Sequence, residues 1–130
     1  MKRIWHLSFV LLVLFVWGCS EDEAAEQPSF LTLEERIVQP TLISFNLRVK
    51  EEAGEGMVYF NIFDPSDPVP TTAELKGDQT TQSIVMKGGG FTFGNFQGLT
   101  PNTSYVIYGF MEVGGVEGKL TSLQVTTAEQ

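Results

Sequence analysis

The stretch Leu99-Thr100-Pro101-Asn102-Thr103-Ser104-Tyr105 constrains the chain most. Leu99 ends an apolar run. Pro101 fixes φ and has no N–H for a ladder, so that run stops there. Asn102, Thr103 and Ser104 are turn formers whose side chains bond nearby backbone. Tyr105 opens a long apolar–polar alternation through Val113, which reads as a strand. A tyrosine so placed can bury its ring and turn its hydroxyl back onto the corner. The plain alternative is an ordinary turn before a β-strand. Asn102-Thr103-Ser104 also spells a glycosylation sequon and is read here as turn chemistry.

With Leu99, Pro101, Thr103 and Tyr105 in place, the corner resembles that of the fibronectin type III family, Leu-x-Pro-x-Thr-x-Tyr. The resemblance spans roughly residues 35–127 and implies an all-β, seven-stranded, immunoglobulin-like antiparallel sandwich. The family's buried Trp on its second strand is missing. Phe45 stands in that series instead, and Trp5 and Trp17 lie near the N-terminus.

The other strands are read from alternation. Ile37-Val38 is expected to be the first strand, with a helical turn over Leu33–Arg36 as the alternative. Thr41–Lys50 alternates strictly, with Ile43, Phe45, Leu47 and Val49 inward and Ser44, Asn46, Arg48 and Lys50 outward. A loop is expected over Glu51–Gly56, then a strand over Met57–Phe63 with Val58, Phe60 and Ile62 inward and Met57, Tyr59 and Asn61 outward. Asp64–Pro70 is too proline-rich for a central strand. Thr71 and Glu74 fit a capping box opening one short helical turn near Thr71–Lys76. Gln82–Lys87 is a short strand, and Gly88–Gly90 a loop lacking the Lys and Ser/Thr of a phosphate loop.

Phe91–Leu99 is harder to place. With Phe96 buried, Phe91 and Phe93 point outward, so a bulge at Gly94-Asn95 is expected to bring them in. In Ser104–Val113, Tyr105, Ile107, Gly109 and Met111 are expected inward and Val106, Tyr108 and Phe110 outward. A hairpin over Gly114–Gly118 leads to a last strand, Lys119–Thr127.

The N-terminus reads as an address. Met1-Lys2-Arg3 is basic, and the apolar run Ile4–Trp17 is 14 residues, short of the ~20 needed to span a bilayer. Val16-Trp17-Gly18-Cys19 resembles the lipobox of bacterial lipoproteins, with Trp17 the unusual member. The alternative is an ordinary secretory signal with an incidental Cys, but the chain's single Cys falls at this position. The resemblance implies a signal peptide over 1–18 and acyl chains on Cys19, the membrane contact of the mature protein. Several chains anchor stably where one does not. Residues 19–29 form the lipidated Cys and an acidic tether, which reaches at most ~35 Å extended, and the domain follows over 30–130. Ser20 after the Cys, then Glu21-Asp22-Glu23, resembles sorting to the outer membrane and display at the cell exterior. A merely solvated linker is the alternative.

Chemistry is defined by what is missing. The formal charge is −8, and from Cys19 onward 6 basic face 16 acidic residues, −10, which argues against nucleic acid as a partner. One Cys permits no internal disulfide, and His6 is the sole histidine. Nucleophile–histidine catalysis and His/Cys zinc sites are therefore not expected, nor any metal, cofactor or enzymatic activity. Carboxylates remain, at Glu51, Glu52, Glu55, Asp64, Asp67, Asp78, Glu112 and Glu117. All but Glu112 fall in polar loops, where solvation keeps a carboxyl from acting as an acid. Asp64 and Asp67 carry only a weak hint of calcium.

One positive feature remains. Tyr59, Val106, Tyr108 and Phe110 share an outer face, and aromatic rings on a flat sheet can stack on sugars or pack against a protein. The alternative is cross-strand pairing beneath the loop after Phe63. The expectation is a non-catalytic surface lipoprotein module that binds or spaces a protein or glycan partner. A structural accessory subunit of an outer-membrane complex is the alternative, and a carboxylate-dependent hydrolase the least favoured reading.

Overall fold

Alternation along the chain resolves into two facing antiparallel sheets. The structure, a computed structural model, describes residues 27–130. The expected signal peptide, lipidation site Cys19 and tether up to residue 26 lie outside the described residues. The strands are β1 (Leu31–Val38), β2 (Leu42–Val49), β3 (Gly56–Phe63), β4 (Gln82–Met86), β5 (Phe91–Gln97), β6 (Ser104–Val113), β7 (Val116–Glu117) and β8 (Thr121–Thr126). The one α-helix among the described residues, α1, is Thr72–Gly77. The small sheet runs β1-β2-β5. The large sheet runs β4-β3-β6, with β7 and β8 both paired to β6.

The core lies where the inner faces meet. Ile43, Phe45, Leu47 and Val49 of β2 are buried, opposite Val58 and Phe60 of β3 and Ile107 and Met111 of β6. Phe45 meets Phe60 edge-on at 5.4 Å between ring centroids and stacks on Phe96 at 5.7 Å. Paired rings add roughly 0.5–1.5 kcal/mol beyond their buried area.

The corner is built as its residues require. The Thr100 N–H donates to Tyr105 Oη at 3.0 Å, and Tyr105 packs half-buried against the core. Asn102 takes the left-handed conformation at φ 50° that Asn tolerates. Thr127 completes the corner, a role its position in the sequence did not reveal. Its buried hydroxyl accepts from Thr103 N–H at 2.9 Å and donates to the Thr100 carbonyl at 2.7 Å.

Four expectations change. The whole of Leu31–Val38 is strand, with neither a helical turn nor a start delayed to Ile37. Leu31 and Leu33 are its buried anchors, and a register shift between Glu35 and Ile37 turns Ile37 outward. The expected bulge at Gly94-Asn95 is absent, since β5 pairs with β2 in unbroken register from Leu42↔Gln97 to Arg48↔Phe91. Gly94 explains this: a Cβ there would stand 2.8 Å from the Phe45 ring, so the glycine lets the ladder run straight over that ring. The last strand begins only at Thr121, and Val116–Glu117, inside the expected hairpin loop, forms a short strand of its own. Gly118 N–H bonds to the Met111 carbonyl, then Lys119 N–H turns to the Pro28 carbonyl, and the segment ahead of β1 fills the gap. Asn61 points outward as expected but is buried there, its amide donating to the hydroxyls of Thr80 and Thr81 at 2.9 and 3.3 Å.

Candidate binding face

Register puts the expected aromatic residues on one face. Tyr59 lies opposite Phe110, Asn61 opposite Tyr108 and Phe63 opposite Val106, all on the outer side of the large sheet. Tyr59 and Phe110 stack at 5.2 Å, and Phe63 meets Tyr108 edge-on at 5.5 Å. Phe110 is nevertheless completely buried and offers no surface to a partner. Tyr59, Tyr108 and Val106 are half-buried.

The cover is the segment between β3 and β4. The proline-rich loop closes on itself: Asp64 Oδ1 accepts from the N–H and hydroxyl of Ser66, and Asp64 N–H donates to Asp67 Oδ2 at 3.1 Å. Asp64 and Asp67 are thus engaged in shaping the turn. Both halves of the capping box form, Thr71 Oγ1 accepting from Glu74 N–H and Glu74 Oε1 from Thr71 N–H, each at 3.1 Å. Three contacts fasten α1 to the outer face. Lys76 Nζ donates to Glu112 at 2.6 Å and lies over the Tyr59 ring, and Thr72 Oγ1 donates to Glu117 at 2.7 Å. Leu75 of α1 is fully buried, as is Phe110, and both stand outside the main core cluster. They mark a second, smaller core on the outside of the sheet.

The charges follow that geometry. The Glu112 hydrogen bond raises the Lys76 ammonium pKa above its ordinary value. Hydrogen bonds from the Ser66 backbone and hydroxyl hold Asp64 below the ordinary carboxylate value, and those from Thr80 do the same for Asp78. A shallow cavity of about 380 Å³ lies under the loop between Phe63, Val69, Glu74 and Asp78.

The opposite face is open. On the outer side of the small sheet, Phe91 and Phe93 are each 54% exposed. The Arg48 guanidinium lies 4.9 Å from the Phe91 ring centre and that of Arg36 lies 4.6 Å from Phe93. To get there Arg36 crosses β2, passing Ser44 Oγ at 3.4 Å. This face was missed because the expected bulge would have turned both rings inward. The signal was the outward parity of Phe91 and Phe93 beside Arg48.

No family model and no curated protein sequence matches this chain. Solved structures do. A structure described as a myokine is similar over 78% of this chain and 99% of its own, with a TM-score of 0.55 at 10% identity. A computationally redesigned β-sandwich protein is similar over 82% of this chain and 94% of its own, with a TM-score of 0.56 at 18% identity. The FN1–FN3 domains of chicken CNTN1 match 82% of this chain with a TM-score of 0.50 at 18% identity, the match covering 34% of that longer chain. At such identities the likeness concerns the fold alone, and that fold, read with the bonded corner and the two-sheet order, is a fibronectin type III-like β-sandwich.

Proposed function

We propose that this chain is a non-catalytic module, lipid-tethered to a bacterial outer membrane through Cys19, that binds or spaces a partner at the cell exterior. The observation that carries the non-catalytic part is chemical. Residues 27–130 contain neither His nor Cys, and Asp64 and Asp78 are held below the ordinary carboxylate value, the opposite of what a general acid needs. The address rests on the sequence Lys2-Arg3, the apolar run and Val16-Trp17-Gly18-Cys19. A tether of ten residues keeps the sandwich within ~35 Å of the membrane.

Mass spectrometry of the protein from its native membranes tests the anchor. The expected species begins at Cys19 and carries acyl chains, while Cys19→Ser leaves the protein unprocessed and unacylated. An unmodified thiol on the mature protein would overturn the tether. Protease added to intact cells tests the side: cleavage supports the exterior, and protection until the outer membrane is breached rejects it.

A further inference from the structure

Exposed apolar side chains concentrate on one edge of the sandwich. Ile84 and Val85 of β4 and Phe91 and Phe93 of β5 are all exposed. Each strand is a terminal member of its sheet, β5 pairing only with β2 and β4 only with β3 among the described residues. The two strands line a shared groove of about 290 Å³ with Met86, Lys87 and Thr92. A bare strand edge presents a row of unpaired N–H and C=O groups, a template for another strand.

We propose that this edge takes an extended acidic–apolar peptide as an added strand along β5. The backbone of β5 supplies the ladder, and the side-chain period of two then dictates the ligand. Every second side chain of the added strand faces outward, beside Phe91 and Phe93, where Arg36 and Arg48 wait. The intervening side chains face the groove between the sheets, beside Ile84 and Met86. Carboxylates suit the first set and aliphatic groups the second.

Charge selects the acidic partner. Residues 27–130 hold 12 acidic and 6 basic side chains, yet three of the six, Arg36, Arg48 and Lys87, gather at this edge. Stacking on the rings already orients both guanidiniums, so they lose less freedom on meeting a carboxylate. The Glu34 carboxylate stands 3.5 Å from Arg48 Nε as a solvent-exposed pair, which a ligand carboxylate can replace at little cost.

Hydrogen-exchange mass spectrometry on the full chain tests this, with a short peptide of alternating glutamate and valine as the probe and an alternating lysine–valine peptide as the control. The expected result is slowed exchange over Phe91–Gln97 with the glutamate peptide alone, weakened about five-fold by Arg36→Gln or Arg48→Gln. Phe93→Leu, which keeps an apolar side chain but removes the ring under Arg36, should weaken it too. Equal protection by the lysine peptide, protection away from β4 and β5, no protection at all, or indifference to both arginine substitutions would each overturn the proposal. So would self-association through β5 that the glutamate peptide cannot displace.

Discussion

On the outer side of the large sheet Phe110 is fully buried, whereas on the outer side of the small sheet Phe91 and Phe93 keep 54% of their surface. All three are outward-pointing phenylalanines on regular strands. The difference comes from elsewhere in the chain. Between β3 and β4 the chain carries a loop and a helix long enough to fold back over the large sheet. Between β4 and β5 only four residues intervene, Lys87–Gly90, too few to cover anything. The small sheet instead shields its rings with the guanidiniums of Arg36 and Arg48, which leave the edges wet. A six-residue helix has no stability of its own, so α1 persists through its capping box and its fastening to the sheet. Outward parity therefore permits exposure without ensuring it.

The sharpest test applies one substitution to both faces. Phe110→Ala should destabilise the protein by ~3–5 kcal/mol, the usual cost of emptying a buried aromatic site. Phe93→Ala should cost about 1 kcal/mol or less, as at most exposed positions. Denaturant melts of the two variants check this, and equal losses would erase the distinction. Leu75→Ala comes next, at ~2–4 kcal/mol. Its hydrogen exchange should quicken along β3 and β6 while β2 and β5 stay protected, so a uniform change would mean the second core is not separate. Gly94→Ala should cost ~1–3 kcal/mol by pressing a methyl group into the Phe45 ring, read again by denaturant. A bulge over Gly94 would spare it.

The smallest effect is that of pH on the cover. Asp64 and Asp78 have folded pKa values below the ordinary one, so they contribute above the carboxylate range and lose that contribution as pH falls through the lowered values. Lys76 is raised, so it contributes below the ordinary lysine pKa and the contribution disappears as pH climbs through the raised value. Protection of the amides over residues 64–78, taken relative to their intrinsic exchange at each pH, should therefore fall at both extremes before the sandwich melts. Lys76→Gln should abolish the alkaline change and leave the acid one.

Local chemistry was enough for the central strands of the sandwich, its corner and its helix, but not for where β1 and β8 begin. Proline at 101 must stop a strand, Thr71 and Glu74 must cap a helix, and the period of two in Thr41–Lys50 must bury one face, because each depends on near neighbours in the chain. The aromatic set Tyr59, Tyr108 and Phe110 was also brought together as parity required. Tertiary structure decided how much of it remained accessible, since burial of an outward ring depends on what another segment lays over it. It likewise decided that β5 runs straight, because a glycine opposite Phe45 matters only when that ring is known to lie beneath it. The arginine–phenylalanine layer has the same origin: Arg36 and Phe93 are far apart in sequence, and they meet only because β1 and β5 flank β2.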